Sequence, residues 1–131
     1  FMGDAVMAVF RGEYHLDRAI DVALAVKEQI SNLEVALDGD KTYKPQISIG
    51  INSGEMVSGN IGSASLRRLD YTVIGDAVNV AQRLQAIAKA GQIIITEEVY
   101  LKTTESFKCV QNGEFSLKNK AKPVNTYEVM E

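Results

Sequence analysis

The chain has 131 residues, which suits a single domain with a real core and is too short for two. With 46% apolar residues, 24% charged residues and only two prolines, its composition excludes disordered and fibrous classes. The net charge of -3 and the absence of a basic cluster argue against a nucleic-acid partner, and no apolar run approaches the roughly 18 residues of a membrane span. One cysteine, Cys109, cannot form an internal disulfide, so we expect a core-filling role for it and a cytoplasmic location for the protein.

The first ten residues are predicted to form a hairpin. Gly3 and Asp4 lie between two apolar runs and both tolerate the positive φ of a type I′ turn, so Asp4 would lie at a strand tip. Such a turn often serves geometry alone, but a carboxylate on a rigid hairpin is also what Mg²⁺ needs. Because the sequence starts inside an apolar pattern, we expect it to be a piece of a longer chain.

A long amphipathic helix is predicted to start at Leu16 and to run until the turn residues 37–41. Its apolar positions recur at steps of three and four: Ala19, Ala23, Val26, Ile30, Leu33 and Leu37. After Pro45, Ile47, Ile49 and Ile51 alternate with Ser48, Gly50 and Asn52. This period of two predicts a half-buried strand.

The second half of the chain alternates between strands and helices. A glycine-interrupted strand pattern covers residues 54–63, and an alternating strand covers 69–73. Asp76 is predicted to begin a helix that Gly91 can terminate, followed by a buried strand at 92–96 and a short helix from Glu97 to Lys102. Two or three strands complete the chain. The short connections favour an α+β fold with a largely antiparallel sheet.

Three polar residues of this half are candidates for a nucleotide site. Asn79 and Arg83 lie four apart and therefore share one face of the second predicted helix, which follows the strand of Thr72 through a Gly-Asp turn. Asparagine can orient a hydroxyl group, and the arginine fork suits charge that builds on a transferring phosphoryl group. The alternative is a solvated polar face.

Basic residues elsewhere allow two interpretations each. Arg67 and Arg68 could clamp a triphosphate or form a solvated loop pair. Lys118, Lys120 and Lys122 alternate before Pro123, as in a phosphate site or a charged edge strand. Neither a Walker A loop nor a complete GxGxxG is present.

These segments together resemble the catalytic domain of class III nucleotidyl cyclases, in their bacterial form. The resemblance is carried by residues 50–54, 57, 59–63 and 68, by residues 71–84 (YTVIGDAVNVAQRL), by the hairpin of residues 1–10, and by LKNK at 117–120 with Pro123 and Tyr127. It spans the whole chain and implies the ferredoxin-like palm of that family, a mostly antiparallel sheet flanked by helices.

The resemblance also implies roles for single residues. Asp4 would be one of two aspartates that bind two divalent cations, Mg²⁺ or Mn²⁺, while Asn79 and Arg83 would orient the ribose and stabilise the phosphoryl transition state. Thr72 would read the purine, Lys120 would bind the triphosphate, and Arg68, or alternatively Arg67, would lie near the phosphates. In such enzymes the site forms across a head-to-tail homodimer, with Asp4 and Arg68 from one subunit and the other residues from its mate.

We therefore expect residues 1–131 to be a cyclase catalytic domain that lacks its first strand and helices, with a regulatory domain in the parent chain. The expected reaction converts ATP to 3′,5′-cyclic AMP and pyrophosphate, because threonine at position 72 occurs in adenylyl-type bacterial members. The family's first metal aspartate and its purine-reading lysine would lie before Phe1, so this fragment is expected to be inactive alone. Asn119 replaces the glycine usual between the two lysines. Alternatives are a guanylate cyclase, or a catalytically silent homology domain used for dimerisation or nucleotide-dependent regulation.

Overall fold

A computed structural model describes residues 5–36, 39, 41–54, 57–60, 71–74, 76–103, 107–116 and 122–130. Its helices are α1 (His15–Ser31), α2 (Asp76–Ile87) and α3 (Glu97–Lys102). Its strands are β1 (Val35–Ala36), β2 (Thr42–Tyr43), β3 (Ile49–Ile51), β4 (Val57–Asn60), β5 (Tyr71–Ile74), β6 (Ile93–Thr96), β7 (Cys109–Phe115) and β8 (Val124–Val129). None of the helices in the described part of the chain combines the length and the apolar character needed to cross a bilayer.

A four-stranded sheet in the order β3-β6-β8-β7 is the centre of the fold. β3 and β6 are parallel, whereas β8 pairs antiparallel with both β6 and β7. Two separate antiparallel pairs, β1-β2 and β4-β5, complete the described sheets. The predicted α+β class, with mostly antiparallel pairing, is confirmed.

The two faces of β6 are buried under different helices. Ile93 and Ile95 pack with Leu16, Ile20 and other residues on the α1 side. Ile94 packs with Val80 and Leu84 of α2 on the opposite side. Because both faces are covered, the strand is an uninterrupted apolar run rather than an alternating one, as its sequence predicts.

α1 is shorter than predicted, since it ends at Ser31 instead of continuing to residue 37. The Ser31 hydroxyl donates to the Glu28 carbonyl over 2.8 Å, and the Asn32 amide is shared between the Glu28 and Gln29 carbonyls. The serine side chain thus competes with the helix for a backbone partner in the last turn, and the helix ends there before the apolar pattern does. The chain beyond them forms β1.

The buried face of α1 also differs from the prediction. Leu16, Ile20 and Ala23 are buried, whereas Val26, which the predicted stripe shares with Ala23, is 36% exposed. Apolar residues spaced three and four apart form two neighbouring stripes on this helix, one through Ala19 and Val26 and one through Ile20. Tertiary packing against the sheet selects the one that contains Ile20.

The predicted first hairpin is wrong for residues 6–10. The only pairing in the described part of this segment is an isolated bridge at Ala5, and Val6, Met7 and Val9 are exposed. Because these side chains are not buried, no apolar contact offsets the conformational entropy that the segment would lose on forming a strand. The predicted turn at Gly3 and Asp4 lies outside the described residues.

Candidate functional site

Asn79 and Arg83 lie on the exposed side of α2. At 100° per residue, Asn79 points about 160° away from the buried Ala77, and Arg83 points about 120° away from it. Both polar side chains are exposed, one helical turn apart. The predicted shared face is confirmed, and the hydrophobic face of the helix explains why these two side chains face outward.

Thr72 lies on β5, which ends two residues before α2 begins. Its Cα is the ladder partner of Gly59 on β4. The strand therefore leads directly into the helix that carries Asn79 and Arg83, as the sequence predicts. The described backbone brings these three positions to one strand-to-helix connection.

The remaining predicted site residues, Asp4, Arg68 with its alternative Arg67, and Lys120, lie outside the described residues. Within the part of the chain that the structure describes, no three His, Cys, Asp or Glu residues group into a metal-binding cluster. The roles of Asp4, Arg68 and Lys120 therefore remain predictions.

α2 is seated on the face of β3 opposite Ile49 and Ile51. A Cβ atom on Gly50 would lie 2.5 Å from the Ala81 carbonyl oxygen and from the Gln85 amide nitrogen, so the helix backbone touches the strand here. Two residues advance a strand by about 6.6 Å along its axis, and four residues advance a helix by about 6.0 Å along its axis. Alternate residues of the strand can therefore meet every fourth residue of a helix that runs in the opposite direction.

Two polar contacts extend this alignment on either side of Gly50. Gln85 donates from Nε2 to the Ser48 hydroxyl over 3.1 Å, and Asn52 donates from Nδ2 to the Ala77 carbonyl over 3.2 Å. Ser48, Gly50 and Asn52 thus form one face that carries α2. Residues 47–52 are all partly buried, which agrees with the expected half-buried strand, and the small and polar side of β3 is the side that a helix covers.

Asn52 is also held from the neighbouring strand. The Thr96 hydroxyl donates to Asn52 Oδ1 over 3.0 Å and accepts the Val99 amide of α3 over 3.4 Å. Thr96 is 3% exposed. Asn52 therefore connects the last residue of β6 to the first turn of α2.

A cleft of about 410 Å³ opens beside this network, where β3 and β6 end and α2 and α3 begin. Asp76, Glu97 and Glu98 lie along it, and Asn125 donates to Glu97 over 3.1 Å. Three carboxylates would repel a polyphosphate.

Cys109 lies apart from these residues. It packs on β7 against the core cluster beneath α1, and its burial raises the pKa of the thiol. A thiol with a raised pKa is a poor nucleophile at neutral pH. Cys109 is partly buried on a strand and packs against the core, which agrees with the expectation that it fills the core or a strand.

Gly50 and Asn52 belong to the motif that carries the resemblance, but the sequence pattern assigned neither a role. The signal was present, because small or polar residues at 48, 50, 52 and 54 face away from three isoleucines in a strand of otherwise apolar character. A row of small or polar residues on one face of a strand can indicate that another backbone packs closely there, as well as that the face is exposed to solvent.

Comparison with known proteins agrees with this arrangement. The sequence profile of the adenylate and guanylate cyclase catalytic domain matches residues 1–131. An adenylate cyclase of Anabaena cylindrica is 38% identical over 138 residues, which cover 98% of this chain and 27% of that protein.

Two solved structures have the same fold. The guanylate cyclase domain of RhGC from Catenaria anguillulae, in complex with GTP, superposes with a TM-score of 0.74 at 28% identity, covering 91% of this chain and 61% of that one. The non-canonical dimeric guanylyl cyclase domain of RhoGC from Blastocladiella emersonii superposes with a TM-score of 0.71 at 26% identity, covering 98% of this chain and 62% of that one. The chain thus spans about three fifths of these solved chains and about a quarter of the Anabaena protein. With the profile matching throughout and the helix of Asn79 and Arg83 in place, the chain belongs to the adenylate and guanylate cyclase catalytic-domain family, class III.

Proposed function

We propose that this chain is the larger part of an adenylate cyclase catalytic domain that acts as a head-to-tail homodimer and converts ATP to 3′,5′-cyclic AMP and pyrophosphate. The observation that carries the proposal is the exposure of Asn79 and Arg83 together on α2, next to the strand of Thr72. The relative from Anabaena is named an adenylate cyclase, which supports ATP over GTP.

In the reaction, the ribose 3′-oxygen bonds to the α-phosphorus, the bond from that phosphorus to the bridging oxygen of the β-phosphate breaks, and the hydroxyl proton is released. Asn79 would orient the ribose, and Arg83 would meet the charge that grows on the phosphoryl oxygens. About 6 Å of helix rise separates the two residues, so they can reach neighbouring groups of one nucleotide.

The other half of the site would come from the second subunit. Asp4 would bind divalent cations, which neutralise phosphate charge, and Arg68 would approach the phosphates, while Thr72 and Lys120 would lie on the same subunit as Arg83. The RhoGC domain is described as a non-canonical dimer, which supports association between two such domains but does not bear on the head-to-tail arrangement. A regulatory domain in the parent protein and a cytoplasmic location are part of the same proposal.

The test uses the domain extended upstream with its natural residues, here called the extended domain. With ATP and Mg²⁺ or Mn²⁺ it should produce cyclic AMP, and EDTA should abolish production. Asn79→Ala and Arg83→Ala should each lower kcat about 100-fold or more, with unfolding free energies within about 0.5 kcal/mol of wild type because both side chains are exposed. Gln82→Ala, an exposed neighbour on α2, is the matched control and should retain full activity.

Mixing tests the shared site. Asp4→Ala and Arg83→Ala proteins should each be inactive, but random exchange makes half of the dimers mixed, each with one intact site. Activity should therefore return to about a quarter of wild type. Wild-type kcat in both Asn79→Ala and Arg83→Ala would overturn the site assignment. Nucleotide binding without any product would favour the silent domain, and cyclic GMP as the main product would favour a guanylate cyclase.

A further inference from the structure

We infer that Asn52, held by Thr96, is a positioning residue that fixes α2 so that Asn79 and Arg83 present the correct geometry to the nucleotide. The inference rests on the proposed function, since it concerns how that catalytic pair is held. Asn52 itself lies on the other side of the helix and is not placed to touch the substrate.

The Asn52 amide has a defined orientation. Its oxygen accepts from the Thr96 hydroxyl, so its nitrogen is the atom that faces the Ala77 carbonyl. The Thr96 hydroxyl is in turn fixed by accepting the Val99 amide. These hydrogen bonds tie α2 to two strands and to α3.

This contact acts on the part of α2 that matters for the proposed chemistry. Ala77 lies in the first turn, two residues before Asn79, and at 100° per residue Asn79 and Arg83 project about 200° and 240° from it. Moving or rotating the Ala77 side of the helix therefore moves both polar side chains on the far side. The first turn cannot be shifted without breaking the Asn52 bond.

Apolar packing alone does not supply this control. Val80 and Leu84 hold α2 against the sheet, but hydrophobic contact is non-directional and tolerates small slides along the strand. At Gly50 the helix backbone already touches β3, so α2 cannot move closer to the strand. The movement that remains possible is a slide along the strand. Two directional hydrogen bonds set that remaining coordinate: the Asn52 bond at the start of α2, which is part-buried, and the more exposed Gln85 bond to Ser48 about two turns further along.

The first experiment is Asn52→Asp in the extended domain. Aspartate keeps the acceptor for Thr96, removes the donor to Ala77 and sets a carboxylate against that carbonyl. A displacement on the order of 1 Å lowers rates up to about 100-fold, so we expect kcat to fall about 10- to 100-fold with KM for ATP changed less than about threefold.

A matched pair of threonines separates positioning from stability. Thr96 and Thr126 are ladder partners on β6 and β8, 3% and 1% exposed, and the Thr126 hydroxyl donates to the Gly113 carbonyl of β7 over 3.0 Å. Thr96→Val and Thr126→Val each remove one buried hydroxyl at constant shape. Only Thr96→Val should lower kcat, by about tenfold. Thr96→Ser, which retains the hydroxyl, should keep kcat at the wild-type value.

A double-mutant cycle completes the test. If Asn52 acts through the pair on α2, Asn52→Asp should lower kcat of a protein that already carries Asn79→Ala and Arg83→Ala less than about threefold, far less than it lowers wild type. Equal kcat losses in Thr96→Val and Thr126→Val, or full multiplicativity in the cycle, would overturn the inference. Should Asn52→Asp not fold, the threonine pair decides alone. Unchanged kcat in Arg83→Ala would instead overturn the proposed function, a separate result.

Discussion

Replacing Gly50 with alanine should displace α2 as a unit. The new Cβ would lie 2.5 Å from Ala81 O and Gln85 N and 2.7 Å from Leu84 Cβ, roughly 1 Å inside normal contact. β3 cannot retreat, because Ile49 and Ile51 on its other face pack against the core under α1. The helix must therefore move by about 1 Å, which loosens the buried contacts of Leu84 as well.

Overpacking of this kind costs about 1 to 3 kcal/mol, and backbone atoms yield less than a side chain, so we expect about 3 kcal/mol. In the extended domain this corresponds to a fall in Tm of about 10 °C, and the shift of Asn79 and Arg83 should lower kcat about 100-fold. Urea unfolding and cyclic AMP production under saturating ATP measure the two effects.

Gly91→Ala is the control for the added methyl group. Gly91 has φ of 84°, and a Cβ atom added there would meet nothing within 4 Å, so alanine should cost about 1 kcal/mol through backbone strain and leave kcat unchanged. If Gly50→Ala cost no more than this control, or if it cost about 3 kcal/mol with wild-type kcat, the account of how β3 seats α2 would be wrong.

Two further predictions concern single side chains. Thr72→Val in the extended domain should reduce the preference in kcat/KM for ATP over GTP about tenfold, because valine matches the shape of threonine but cannot hydrogen-bond to the purine; an unchanged ratio would remove Thr72 from substrate choice. Burial raises the pKa of the Cys109 thiol, so at pH 8 it holds less thiolate than an exposed cysteine. Iodoacetamide should therefore modify it slowly in the folded protein and faster in urea, as followed by mass spectrometry, and equal rates in both conditions would contradict its packing against the core.

Local patterns predicted several elements well. The short helix from Glu97 to Lys102 has the predicted limits because Thr96 caps it and Glu98 pairs with Lys102 over 2.8 Å. Both contacts are local, since they join residues three and four positions apart. The buried strand before it follows from its run of isoleucines. The shared face of Asn79 and Arg83 follows from helical geometry alone.

Other features depended on partners distant in sequence. The choice between two apolar stripes on α1 required knowing where the sheet lies. The even face of β3 looked solvent-facing because its residues are small or polar. Its actual partner, α2, contacts Asn52 through Ala77, 25 residues further along the chain.

By itself, the sequence predicted which residues could do chemistry, and it determined that Asn79 and Arg83 share one side of α2, since backbone periodicity fixes that side within a few turns. Only the tertiary structure decided how α2 is held: that glycine at position 50 marks contact between a strand and a helix backbone, and that the Asn52 amide bonds the first turn of α2. The reason is physical, because close approach and directional hydrogen bonds between segments far apart in the chain depend on where each segment packs.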